Sequence, residues 1–140
     1  MPELCIHVGV GRKGSFALEQ VCRNAPYLQT DAEGRRCGRG GGGGECILDG
    51  NPVYRTRVDV GSVIAELHQS HGKSLAVKAS EDAGLYLCEF TYYISSSRRE
   101  SPVVFVHVPP VGHPYTQAEI GGGLQRVVRQ IVRECAAHCS

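Results

Sequence analysis

The run VVFVHV at 103–108 constrains this chain more than any other feature. Its residues favour β structure and show no polar alternation, so the strand they form is covered on both faces. Pro109 and Pro110 end it, since proline cannot continue a paired central strand. A strand of that kind needs helices above and below it.

The neighbouring segments supply those helices. Thr116 and Glu119 form a T-x-x-E capping box. Ile120, Leu124, Val127, Val128, Ile131, Val132 and Cys135 then recur at helical spacing as one apolar stripe, weakened at its start by glycines 121–123. Asp59 caps a second helix with Val60, Val63, Ile64 and Leu67 on its apolar face and Gly72 as its stop. LAVKA (75–79) reads as a strand, EDAG (81–84) as a turn, and 85–99 as a further helix. Near the start, LCIHV (4–8) reads as a buried strand and 15–22 as a strand or short helix. Alternation of this sort predicts an α/β fold, a mostly parallel sheet with helices on both faces in three layers.

Between about 25 and 52 the periodicity collapses around Pro26, Asp31, Gly34 and the tract GRGGGGG at 38–44. This reads as a long, flexible Gly-rich loop inside a single domain spanning 1–140, because too little chain precedes it to form a second domain. The net charge of +1 gives no electrostatic footprint for nucleic acid. No stretch approaches the roughly 20 apolar residues of a membrane span. The start MPELCIHVGV lacks the basic and apolar regions of a secretory signal. Seven cysteines without a CxxC pair argue for a reducing compartment, so a soluble cytosolic protein is expected.

Cys88 and His107 are the thiol and imidazole of a candidate nucleophile and base. Read as one helix, the intervening residues let the chain return beside itself. Read as a parallel strand–helix–strand unit, 75–108 brings both residues to one sheet edge, with Cys88 in the first turn of its helix. That position is expected to lower the thiol pKa and to offer a backbone N–H to an oxyanion. A third group must orient the base. Glu19, Glu81, Asp82 and Glu89 are candidates, and spacing does not choose among them. The bland alternative makes Cys88 a small buried hydrophobe and His107 a satisfied core histidine.

Taken together, DAGLYLCEFTYY, FVHVPP and HVGVGRKGSFALEQVCRN resemble the pyroglutamyl-peptidase I family of cytosolic cysteine exopeptidases. The resemblance implies Cys88 as nucleophile, His107 as base and acid, and Glu19 as imidazole orienter. It implies substrates that are peptides with N-terminal pyroglutamate, and it requires neither metal nor organic cofactor. The lactam ring is small and uncharged, so an apolar pocket is expected, with Tyr86 and Leu87 as walls. The family pattern begins with a further strand bearing a TGFGPF-like loop, then a helix and another strand. This chain starts after them, which implies a fold incomplete at its N-terminus, with an uncovered sheet edge and one pocket wall missing. A silent relative that keeps the scaffold for binding is the alternative.

Weaker signals have simpler explanations. Gly9, Gly11 and Gly14 fit G-x-G-x-x-G, but no long helix follows and the dinucleotide context fails. Cys135, His138 and Cys139 lack a fourth metal ligand and read as a solvated helix tail. His68 and His71 read the same way, and Arg98 and Arg99 complement a helix C-terminus.

Overall fold

The computed structural model describes residues 3–30, 32–35 and 44–138. Along the chain come β1 (Cys5–Val10), β2 (Phe16–Glu19), β3 (Val21–Arg23), β4 (Val53–Arg55), α1 (Val60–His71), β5 (Val77–Ser80), α2 (Leu87–Ser97), β6 (Val103–Val108) and α3 (Gln117–His138). β1, β6, β2 and β5 form a four-stranded sheet in that spatial order, and β3 with β4 forms a separate two-stranded ladder. The fold is α/β with a mostly parallel sheet: β1 pairs with β6 and β2 with β5 in parallel, and only β2 with β6 is antiparallel.

All six residues of β6 are buried, as its composition requires. Its alternation assigns one side chain after another to opposite faces. Val104, Val106 and Val108 pack with Val63 and Leu67 of α1 and Val127 and Ile131 of α3. Val103 and Phe105 pack on the other face against Tyr92 and Tyr93 of α2. Helices therefore cover both faces, and each fully buried Val or Ile contributes about 1.5–3 kcal/mol of transfer free energy.

The helix ends follow the sequence signals. Ser62 N–H donates to Asp59 Oδ1 at 3.1 Å. Gly72, at φ +60°, closes α1 by donating its N–H to the His68 carbonyl. Thr116 and Glu119 exchange reciprocal side-chain to backbone bonds of 2.9 and 3.2 Å. The apolar stripe of α3 is narrower than its sequence suggests, because Val132 is 48% exposed. Gly123 takes a core place instead, since a Cβ there would fall 2.7 Å from Phe16 Cζ. That glycine lets α3 approach β2 closely.

One open alternative is decided and one expectation needs correction. Residues 15–22 form two strands, β2 and β3, and no helix. The unit β5–α2–β6 is not a parallel crossover: β2 lies between β5 and β6, runs parallel to the first and antiparallel to the second. The exits of β5 and β6 therefore lie at opposite ends of the sheet. Hydrophobic patterning identified these strands but carried no information on their direction.

The loop expected at 25–52 is tethered where it is described. Asn24 brackets Ile47, donating to its carbonyl at 2.8 Å and accepting from its N–H at 2.9 Å. Tyr27 and Cys46 are buried. Residues 38–43 of the glycine tract lie outside the described residues. β1 is a sheet edge with Val8 and Val10 exposed.

Candidate active site

Cys88 and His107 come together by a helix that runs out and a strand that runs back. From Cys88 to Ser97 the helix climbs about 13.5 Å at 1.5 Å per residue, and from Val103 to His107 the strand returns about 13 Å at 3.3 Å per residue. The two residues therefore reach the same level, with α2 lying over the Phe105 face of the sheet. Gly9 of β1 is in register with His107. A Cβ on Gly9 would fall 2.9 Å from Cys88 Sγ, so the absence of a side chain there is what admits the sulfur. At Gly11 a Cβ would fall 2.7 Å from His107 Cβ. Two of the three glycines that mimic a dinucleotide fingerprint, Gly9 and Gly11, thus make room for a thiol and an imidazole, and β2 follows where that fingerprint needs a helix.

Among the candidate orienters, Glu19 is the one against the ring. Its Oε2 lies 2.9 Å from His107 Nδ1. A carboxylate there fixes the hydrogen on Nδ1 and leaves Nε2 as the basic nitrogen. Both residues are buried. Phe105 supports the imidazole, its ring centroid 4.7 Å away. Tyr92 Oη donates to the Glu19 carbonyl at 2.8 Å, which ties α2 directly to the strand bearing the acid. Glu19 Oε1 has no hydrogen-bond partner among the described residues.

A cavity of about 230 Å³ joins these groups, lined by Glu19, His107, Cys88, Tyr86, Ser80, Lys78 and others. Tyr86 lines this cavity, whereas Leu87 is 48% exposed and does not. The lining is mainly apolar surface, with the charged residues Arg12, Lys78 and Asp82 also taking part.

The resting thiol corrects another expectation. Helix N-terminal placement predicts a lowered pKa, but burial pushes the Cys88 thiol up and the Glu19 charge adds to the rise. Cys88 forms no hydrogen bond with His107. The charged form of the thiol is therefore disfavoured where it stands.

Glu89 and Asp82 serve elsewhere. Glu89 Oε2 accepts from Arg23 Nε and Oε1 from Arg23 Nη2, each at 2.8 Å. Asp82 Oδ1 accepts from Arg23 Nη2 at 2.7 Å and Oδ2 from Arg12 Nη2 at 3.1 Å. Those guanidinium contacts hold the Asp82 carboxyl below its usual range, Arg23 first. Sequence reasoning named Glu89 but missed Arg23 and Tyr92, whose partners lie more than sixty residues away in the chain and leave no local signal.

Cys139 lies outside the described residues, and among the described ones no cluster of three or more His, Cys, Asp or Glu forms a metal site. No described helix is long and apolar enough to cross a membrane.

No family model matches the chain. Pyroglutamyl-peptidase 1 of Rattus norvegicus is 34% identical over 136 residues, covering 94% of this chain and 61% of the relative. The Homo sapiens pyroglutamyl-peptidase 1 is 33% identical over the same shares. The chain thus spans about 61% of the length of these curated relatives. Pyrrolidone carboxyl peptidase from Thermus thermophilus superposes with a TM-score of 0.76 at 25% identity, over 95% of this chain and 70% of that one. The Pyrococcus furiosus enzyme carrying E192I gives the same TM-score at 19% identity, which shows the shared fold. In sequence this chain is thus similar to pyroglutamyl-peptidase 1 over 61% of that relative's length, and in fold to pyrrolidone carboxyl peptidase.

Proposed function

We propose that this chain is a thiol hydrolase that removes N-terminal pyroglutamate from peptides, with Cys88 as nucleophile, His107 as base and acid, and Glu19 as the orienting carboxylate. The observation that carries this reading is the buried Glu19–His107 pair at 2.9 Å opening onto the cavity that holds Cys88.

The chemistry follows from those positions. Because the charged form of the thiol is disfavoured, His107 Nε2 takes its proton as Sγ attacks the pyroglutamyl carbonyl. The resulting imidazolium is stabilised by Glu19. The negative oxygen of the tetrahedral intermediate needs a donor, and the Cys88 N–H in the first turn of α2 is suited to that role. Collapse breaks the C–N bond, and His107 gives its proton to the leaving amine. Water, deprotonated by the same ring, then attacks the thioester and releases pyroglutamate, and the thiol recovers its proton. We place the reaction in the cytosol, the compartment that the family resemblance implies.

A fluorogenic pyroglutamyl amide tests the reading. Turnover that is lost in Cys88→Ala supports it. A folded protein without turnover leaves the silent-relative alternative.

A further inference from the structure

Residues 81–86, between β5 and the helix bearing Cys88, follow an unfavourable backbone path. Gly84 has φ +104°, and Leu85, which has a side chain, has φ +53°. A non-glycine residue in the left-handed region is strained and persists only where its surroundings enforce it.

The enforcing group is identifiable. Glu89, one residue after the thiol, is fully buried. Its Oε1 accepts the Leu85 N–H at 2.8 Å, fixing the left-handed residue. Its remaining partners all belong to Arg23: the backbone N–H, Nε and Nη2, each at 2.8 Å. Arg23 Nη2 also reaches Asp82 Oδ1 at 2.7 Å, and that same oxygen accepts the Gly84 N–H at 3.0 Å. One guanidinium therefore grips both ends of the turn leading into Cys88. Arg23 stands at the end of β3, which continues from β2 and Glu19 after the single residue Gln20.

We infer that Arg23 and Glu89 are positioning residues for the proposed reaction: their ion pair, with the carboxylate buried and the guanidinium part-exposed, locks the turn before α2 to the Glu19 strand and so sets where the Cys88 sulfur stands relative to the imidazole. Neither residue touches the scissile bond. The inference rests on the hydrolase reading for its consequence, but the placement of the sulfur can be read without turnover.

The experiment separates positioning from simple stability. Arg23→Met alone leaves a buried carboxylate without its cation, so its Tm falls steeply. The double variant Arg23→Met/Glu89→Leu removes both charges, and replacement of a buried pair by apolar side chains is often neutral in stability. We expect the double variant to regain most of the lost Tm. Its kcat for the pyroglutamyl amide should remain about 10- to 100-fold low with KM little changed, since a displacement near 1 Å costs that much.

In the double variant, iodoacetamide at fixed pH should label Cys88 severalfold faster than in the unaltered chain, because the released turn exposes the sulfur. Cys5, half-buried at the far end of β1, should keep its rate. If the double variant does not fold, Arg23→Lys replaces it; the ammonium keeps the charge without the fork that reaches both carboxylates, and the same rate changes are expected. A chain without turnover overturns the hydrolase reading and leaves the labelling arm to decide the clamp. A folded double or Lys variant with unchanged Cys88 labelling, or with turnover equal to the unaltered chain, overturns the inference.

Discussion

Glu19 Oε2 stands 2.9 Å from His107 Nδ1, with the acid only 2% exposed and the histidine 8%. A buried carboxylate with a single hydrogen-bond partner is costly to keep. Its other oxygen, Oε1, goes without a partner among the described residues. The arrangement is consistent with a role set by the ring and not by stability.

Glu19→Gln tests that role. The amide oxygen can still accept from Nδ1, and the amide nitrogen takes the position of the unpartnered oxygen. The Tm should therefore shift little, whereas the imidazolium formed during attack loses its counter-charge. We expect kcat to fall at least ~100-fold, in line with the loss of a triad carboxylate, measured with the pyroglutamyl amide beside a thermal melt.

The pH dependence of Cys88 labelling follows from its environment. Burial first and the Glu19 charge second raise the thiol pKa, so the thiolate appears only at higher pH than in an unfolded chain. Labelling by iodoacetamide at pH 7–8 should lag behind free cysteine, whose pKa is about 8.5, and should keep rising at more alkaline pH. Because the folded pKa is raised, this thiol's contribution to stability is complete below the unfolded value and is lost as pH climbs through the folded one. In Glu19→Gln the labelling midpoint should move down part of the way, since one of the two causes is gone.

Gly9 and Gly11 should respond differently to alanine. At Gly9 the new methyl would lie 2.9 Å from Cys88 Sγ, so the sulfur must move. Turnover should fall about tenfold or more for a displacement that small, with a modest change in Tm. At Gly11 the clash is with His107 Cβ at 2.7 Å, close to the backbone of the central strand. Overpacking there costs about 1–3 kcal/mol, readable by denaturant unfolding.

Gly123 sets two effects against each other. Alanine gains about 1 kcal/mol of helix propensity over glycine. The added Cβ would meet Phe16 Cζ at 2.7 Å, inside the core. Overpacking of about 1–3 kcal/mol outweighs the gain, so Gly123→Ala should destabilise. The same change at Gly121, where a Cβ meets nothing within 4 Å, should stabilise.

What was legible in the sequence was whatever local chemistry writes locally. The Asp59 cap, the Thr116–Glu119 box and the two-faced burial of β6 follow from residues a few positions apart. The return of the chain from Cys88 to His107 was also readable, because helix rise and strand rise match over those lengths. Strand direction was not, and the antiparallel β2–β6 pairing displaced the expected parallel unit. Leu87 was read as a pocket wall from its place beside the nucleophile, but one residue along a helix turns a side chain by about 100°, out of the cavity. The thiol's raised pKa depends on burial and on a carboxylate from another strand, which no helix-terminus argument contains.

The most direct test of the account is to trap the acyl intermediate. The protein is mixed with a pyroglutamyl amide, quenched in acid within the first turnovers, and mapped by mass spectrometry. The account predicts a pyroglutamyl thioester on the peptide containing Cys88, absent from Cys88→Ala, which should also release no fluorophore. A folded protein that releases none, an adduct on another cysteine, or release that survives in Cys88→Ala would contradict it.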